Sequence, residues 1–446
     1  MISANSKIKK NVKNSLIQSL RAGLVPSIGL EYIQVGRQKE IEAISNDIKS
    51  IAEGGNAFRL VIGDYGSGKT FFLNIVQSIA RQNNLVTVYA ELNPNLRIYS
   101  TDGKSKRLYS EFMKNISTKN SRNNLRAVTE KFINEILILK DQSNDEKQLD
   151  SLIREKLKGI TELACGYDFA SVLYNYWEGY YKNIEELKDA AEKWLRAEYN
   201  RKTDARATLN VSSIIDDGSY YDHLKIMSRF VRLTGYAGLM VVIDEASNLY
   251  RVNNSTSRNK NYEQIRYMID DILQGYGVEG MGFIMSGTPE FLENKNRGLY
   301  SDEALRSRLL ENRFSNNDFV DNSGIVLRLS NLTKNDVLLL LKKLRNVFYE
   351  GDETKYNKCM PDNAINIFIN RCYSKIGEDY YRTPRNTIKE FLDLMAILEQ
   401  NPDANWYNLI NQIEIKPDKE KDSMDFIDDD TSDNIELNND LSKFKL

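Results

Sequence analysis

The sequence predicts an α/β fold: a parallel sheet with helices on both faces, broken by a long helical insertion and followed by an all-α lid or C-terminal domain. Three observations carry this. A glycine-rich loop, "GDYGSGKT" (63–70), joins a short apolar run, "FRLVI", to a helical pattern, "KTFFLNIVQSIARQ". Further short apolar runs flanked by turn residues recur at 85–92, 238–247 and 280–289. Strands alternating with helices imply parallel pairing. Finally, 173 residues separate Thr70 from Asp244. Two or three strand–helix units need roughly 30 residues each, so the excess is an insertion.

The elements follow in order. Residues 1–30 read as an N-terminal helix ending near Gly23 and Pro26. "VGRQKEIEAISNDIKSIAEG" is a turn and an amphipathic helix closed by Gly54 and Gly55. With the glycine loop and "LVTVYAEL", this makes 31–102 the first part of the core. Residues 103–232 are helical in pattern, with few glycines and no proline. The strands "GLMVVIDEAS" and "GMGFIMSGTP" place the second part of the core at 233–324. "LTKNDVLLLLKKLRNVF", "PDNAINIFINRCYSKI" and "TPRNTIKEFLDLMAILEQ" make 325–416 an α-helical lid domain. Residues 417–446 hold ten acidic and four basic side chains, too polar to build a core, and are expected to be a disordered acidic tail. Leu441, Phe444 and Leu446 form an apolar tip that suits capture by a partner's groove, unless the tail is merely solubilising or shields the chain's own basic surface.

Composition narrows the function. The 446 residues contain no run of about 18 apolar residues, and the basic, polar N-terminus lacks an apolar signal core. Three cysteines without metal spacing fit a reduced, cytoplasmic protein. The single histidine, His223, is expected on a helix surface and argues against His-dependent nuclease, protease or zinc chemistry. The tail carries −6 of a whole-chain −2, leaving the body at +4, which neither demands nor forbids nucleic acid.

The glycine loop has a mechanism. The backbone of Gly63, Asp64, Tyr65, Gly66, Ser67 and Gly68 curls its N–H groups around an anion, and the following helix start, through Phe71, adds its positive end. Lys69 reaches the β- and γ-phosphates of ATP, and Thr70 offers a hydroxyl to Mg²⁺. "LMVVIDEA" supplies the acids: Asp244 for Mg²⁺ and Glu245 to polarise the attacking water. Ser286 or Thr288, at the adjacent strand tip, is placed to contact the γ-phosphate. Arg306 and Arg308 in "LRSRL" are candidates for an arginine presented to a neighbouring subunit's γ-phosphate. Arg385 in "TPR" can close over the nucleotide from the lid side. Gly36 and Arg37 in "VGR" form a turn able to cover the adenine.

In this order the motifs resemble the AAA+ P-loop ATPases of the origin-recognition type. They correspond there to the adenine-side box, Walker A, Walker B, sensor 1, arginine finger and sensor 2. Ser286 and Thr288 stand where many members have Asn. "RAGLVPSIGLEYIQVGRQKEI" and "YYRTPRNTIKEFLDLM" look closer still to the BREX-system ATP-binding proteins (BrxD-like) of bacterial phage-defence loci. The resemblance spans residues 17 to about 110 and 235 to 400. It implies an Mg²⁺-dependent ATPase that works with other defence-system proteins and on DNA, forms a homo-oligomer when ATP-bound, and has no membrane partner. The rivals are a nucleotide-dependent switch with little turnover and a non-enzymatic adaptor. In "KWLRAEYNRKTDAR", Lys193, Arg196, Arg201, Lys202 and Arg206 beside Trp194 and Tyr199 suit nucleic acid. Diluted by Glu192, Glu198 and Asp204, they suit better a solvated helix face over buried rings.

Overall fold

The structure, a computed structural model, describes residues 8–142, 146–275, 278–314, 320–374 and 384–412. The acidic tail and its apolar tip therefore lie outside the described residues. Among the described residues, five strands form one parallel sheet in the order β2-β3-β4-β1-β5. They are β1 (Ala57–Ile62), β2 (Leu85–Glu91), β3 (Gly238–Asp244), β4 (Met281–Gly287) and β5 (Val326–Arg328). The segment expected to be all-α from 325 thus opens with a strand, which pairs β1 through Leu60, Val61 and Ile62.

Alternation along the strands creates two faces. Phe58, Leu60 and Ile62 of β1 join Val86, Val88, Val241 and Phe283 on one face. Val61, Leu85, Val242 and Ile284 point to the other. Helices α1 (Lys10–Arg21), α2 (Leu30–Ile33), α3 (Gln38–Ala52) and α4 (Lys69–Gln82) precede β2. Of these, α3 and α4 cover the second face with Ile44, Ile48, Phe72, Leu73 and Val76. The insertion supplies α5 (Lys104–Lys114), α6 (Arg126–Gln142), α7 (Glu146–Thr161), α8 (Gly166–Tyr181), α9 (Glu185–Leu195), α10 (Lys202–Leu209) and α11 (Tyr220–Leu233). Its core runs without a break into the first face of the sheet. That face is also covered by α12 (Ser255–Gln274), α13 (Pro289–Glu293) and α14 (Glu303–Leu309).

A third core belongs to α15 (Lys334–Phe348), α16 (Glu353–Cys359), α17 (Asp362–Ser374), α18 (Pro384–Gln400) and α19 (Trp406–Gln412). Leu16, Ile17 and Leu20 of α1 are buried in it, so the N-terminal helix is part of the C-terminal helical body. Among the described residues no helix is long and apolar enough to cross a membrane.

Two expectations are corrected here. His223 lies on α11 but is fully buried, not on its surface, because that helix is packed on more than one side. Its ring meets those of Tyr109, Phe169 and Trp194 at centroid distances of 5.5–6.4 Å. The rings of the basic-aromatic run are not free to stack on bases. Trp194 is buried, with its indole N–H on the Ser213 carbonyl, and Tyr199 is buried with its hydroxyl bonded to Thr208. Arg196 pairs with Glu192 and Glu198.

Candidate functional site

The loop 63–70 leaves the C-terminal end of β1 and enters α4. Gly68 caps the helix at φ 89°, a left-handed conformation that glycine adopts without strain. A Cβ on Gly68 would meet no atom within 4 Å, whereas one on Gly63 would stand 2.5 Å from Ser67 Oγ and 2.9 Å from the Leu329 carbonyl. Glycine at 63 lets the loop close; glycine at 68 leaves it open above α4. No side chain caps α4, so the first-turn N–H groups of Lys69, Thr70 and Phe71 have no side-chain acceptor there. Ser67 Oγ is buried and has no hydrogen-bond partner among the described residues. These unmet donors around a glycine curl fit a phosphate chain.

Lys69 is buried, its ammonium donating to the carbonyls of Gly63 (2.9 Å) and Asp64 (3.0 Å). Burial lowers its pKa, opposed by the carboxylates of Glu245, Asp244, Asp64 and Glu290. Thr70 Oγ1 donates to Asp244 Oδ2 at 2.7 Å. This bond follows from period-two alternation. Met240 and Val242 face α4, so Asp244 at the end of β3 does too. Ile284 on β4 faces the same way, which brings Ser286 beside Asp244, because β4 pairs β3 directly. The Ser286 hydroxyl donates to Asp244 Oδ1 and accepts from the Glu245 N–H (3.2 Å). Thr288 turns elsewhere: it caps α13 by accepting from Phe291 N, and its own N–H donates to Ser247 Oγ.

Glu245 sits at φ 53°, an uncommon left-handed residue at a strand end. Burial raises the pKa of its carboxyl, helped by Asp244 and opposed by Lys69. Two residues missed in the sequence complete the cluster. Glu91 is in register with Asp244, and its pKa is raised by burial and by that neighbour. Tyr89 approaches Asp244 Oδ2 at 3.5 Å, its phenol pKa raised chiefly by burial. The signal was present: in "LVTVYAEL" polar side chains occupy alternate positions toward the strand end. The Asp244 carboxylate beside the Thr70 hydroxyl suits a hard divalent cation. Among the described residues no group of three His, Cys, Asp or Glu is arranged as a cage. Mg²⁺ commonly needs only one or two carboxylates plus substrate phosphates.

The remaining candidates divide. Gly36 and Arg37 are consecutive left-handed residues, at φ 60° and 61°. They aim the Arg37 guanidinium at the loop, where it donates to the Ser67 carbonyl at 2.9 Å. Asp64 accepts from Asn331 Nδ2 (3.1 Å), and the Phe71 side chain packs against the helical body rather than into the loop. Tyr65 is half-exposed. Arg308 is occupied by a two-point ion pair with Asp270. Arg306, two residues earlier on α14 and so on a different face of it, is exposed, with no hydrogen bond or ion pair from its side chain among the described residues. Arg385 is also exposed; a Cβ on Gly23 would stand 2.9 Å from its Nε, so it lies over the end of α1.

A family model described as BREX system ATP-binding protein BrxC/D matches residues 8–414 of this chain. No curated protein matches it.

Proposed function

Since the chain belongs to the family of BREX system ATP-binding proteins BrxC/D, an ATP-binding part of a phage-defence system, we propose that it is an Mg²⁺-dependent ATPase of the AAA+ type. The single observation that supports this best is the Thr70–Asp244 hydrogen bond, which ties the start of α4 to the end of β3. Those two oxygens would hold Mg²⁺, which when bound neutralises charge on the phosphates. Lys69 exchanges its two carbonyl partners for phosphate oxygens. Glu245 orients and polarises the attacking water, and Ser286 fixes Asp244 while tying it to the Glu245 backbone. Gly36 and Arg37 hold the loop from the adenine side, and the helical body with Arg385 serves as the lid. Arg306, rather than the occupied Arg308, is the arginine offered to a neighbouring copy in a homo-oligomer. The work done by turnover is directed at other defence-system proteins and at DNA.

A steady-state ATPase assay with and without DNA tests this. Glu245→Gln should retain ATP but lose turnover by at least 100-fold, since the phosphate cradle is intact and the base is gone. Equal turnover in Glu245→Gln and the parent would sink the assignment. Burial raises the Glu245 pKa, so turnover should fall on the acid side as this carboxyl takes up its proton.

A further inference from the structure

A second pocket lies apart from the nucleotide site, in the segments that follow the C-terminal ends of β2 and β3. It is a cavity of about 170 Å³ between the segment after β2 and the start of α12, and three cations, Arg97, Lys104 and Lys260, line it. None of its ten lining residues belongs to the loop 63–70 or to the acidic end of β3. We propose that this pocket binds a phosphate group, carried by a nucleic-acid backbone or by free phosphate.

The walls are built rather than incidental. Asn261 of α12 is fully buried and makes four hydrogen bonds. Its Oδ1 accepts from the N–H groups of Ile98 (3.1 Å) and Tyr99 (2.9 Å). Its Nδ2 donates to the carbonyls of Tyr99 (3.2 Å) and Ser257 (2.9 Å). One side chain thereby locks the segment carrying Arg97 to the helix carrying Lys260. The Arg97 guanidinium belongs to a residue only 1 % exposed, while Lys260 sits above the Tyr99 ring, 5.4 Å from its centre.

Charge favours an anion. The lining holds one carboxylate, Asp102, which is paired with Lys104 at 3.0 Å. Asp217 stands behind the wall, its oxygens taken by Ser100 Oγ and the N–H groups of Gly103 and Lys106. The positive end of the 20-residue α12 opens on the pocket through Thr256 and Ser257. A cavity of this size with hydroxyls and cations on opposing walls takes a single tetrahedral anion, not a whole nucleotide.

The test uses the full chain and two exposed substitutions, Lys260→Glu and Thr256→Asp. An acid in the first turn of a helix is favourable to the helix. Thr256→Asp therefore reverses the pocket's preference without loosening the fold. Binding of a labelled DNA duplex is measured from 50 to 200 mM salt, and thermal stabilisation by inorganic phosphate is measured beside it. Neither substitution touches residues 63–70, so the difference from the parent isolates this pocket. Each variant should bind DNA about tenfold more weakly, with the log–log salt slope shallower by about 1. Loss of DNA affinity, with or without loss of the phosphate response, identifies a backbone phosphate. Loss of the phosphate response alone identifies free phosphate. Variants that match the parent in affinity, slope and phosphate response overturn the proposal, as does a parent that responds to neither ligand.

Discussion

Replacing His223 by Phe should flatten the acid side of the protein's stability curve. The ring is fully buried, and Nδ1 lies 2.8 Å from the Ser219 carbonyl, an acceptor only. Nδ1 must therefore carry the proton of the neutral ring. Nε2 is buried without a hydrogen-bond partner among the described residues. A second proton there would place a charge among Tyr109, Phe169 and Trp194. Burial consequently lowers the imidazole pKa, although the Ser219 carbonyl and the carboxylates of Asp222, Asp216 and Asp168 pull the other way. The sign follows. Below about pH 6.5 the unfolded chain binds a proton that the native chain refuses. Stability is fully present above that pH and is lost as the pH falls, by about 1.4 kcal/mol per unit until the native ring titrates. The raised carboxyls of Glu245 and Glu91 act in the opposite sense, but they are common to both proteins and cancel. Phe retains the ring volume, and the Ser219 carbonyl keeps the backbone N–H of residue 223. Urea unfolding followed by circular dichroism at pH 7.5, 6.5 and 5.5 reads the difference. Parent and His223→Phe midpoints that move in parallel across this range would refute the reasoning.

Three other outcomes are expected. Ser286→Ala removes a hydrogen bond to a buried carboxylate, worth about 1.5–3 kcal/mol, and should slow ATP turnover about 10- to 100-fold; Thr288→Ala should instead cost about 1 kcal/mol of stability as a lost helix cap, with turnover near parental. Arg306→Ala should abolish any rise in specific ATPase activity with protein concentration, whereas Arg308→Ala should leave that rise intact and cost less than about 1 kcal/mol, as an exposed pair does. Asn261→Ala strands buried backbone N–H groups of Ile98 and Tyr99 and should lower stability by about 2–4 kcal/mol in chemical denaturation, leaving ATP affinity near that of the parent.

The four longer strands, and the glycine-rich loop between the first of them and a helix, were legible because each strand is a largely apolar run of six or seven residues between turn residues. The fifth, "VLR", is too short for any periodicity to mark it. Asp244 was legible as the polar end of a buried run, but its partners were not. Ser286 reaches it because β4 lies between β1 and β3, and a strand order of that kind is decided by pairings between distant segments. Tyr89 and Glu91 become site residues only once β2 is known to flank β3 in register. The two arginines of α14 look alike in sequence; only the fold brings Asp270 to one of them. The burial of α1 in the C-terminal body was hidden for the same reason, since its own pattern says that one face is apolar but not what covers it.

The strand order also sets a schedule for synthesis. Among the described residues strand β1 hydrogen-bonds only to β4 and β5, and Ala57 pairs with Gly282, 225 residues later in the chain. At translation rates of roughly 5–20 residues per second, that interval lasts on the order of 10–45 s. Throughout it the strand that will anchor the phosphate loop leaves the ribosome with both edges unpaired, while β2 must likewise await β3. Unpaired apolar edges invite wrong partners. Nascent chains stopped short of residue 281 should therefore be held by chaperones or aggregate, and a fragment ending after β3 would be a poor substitute for the whole domain.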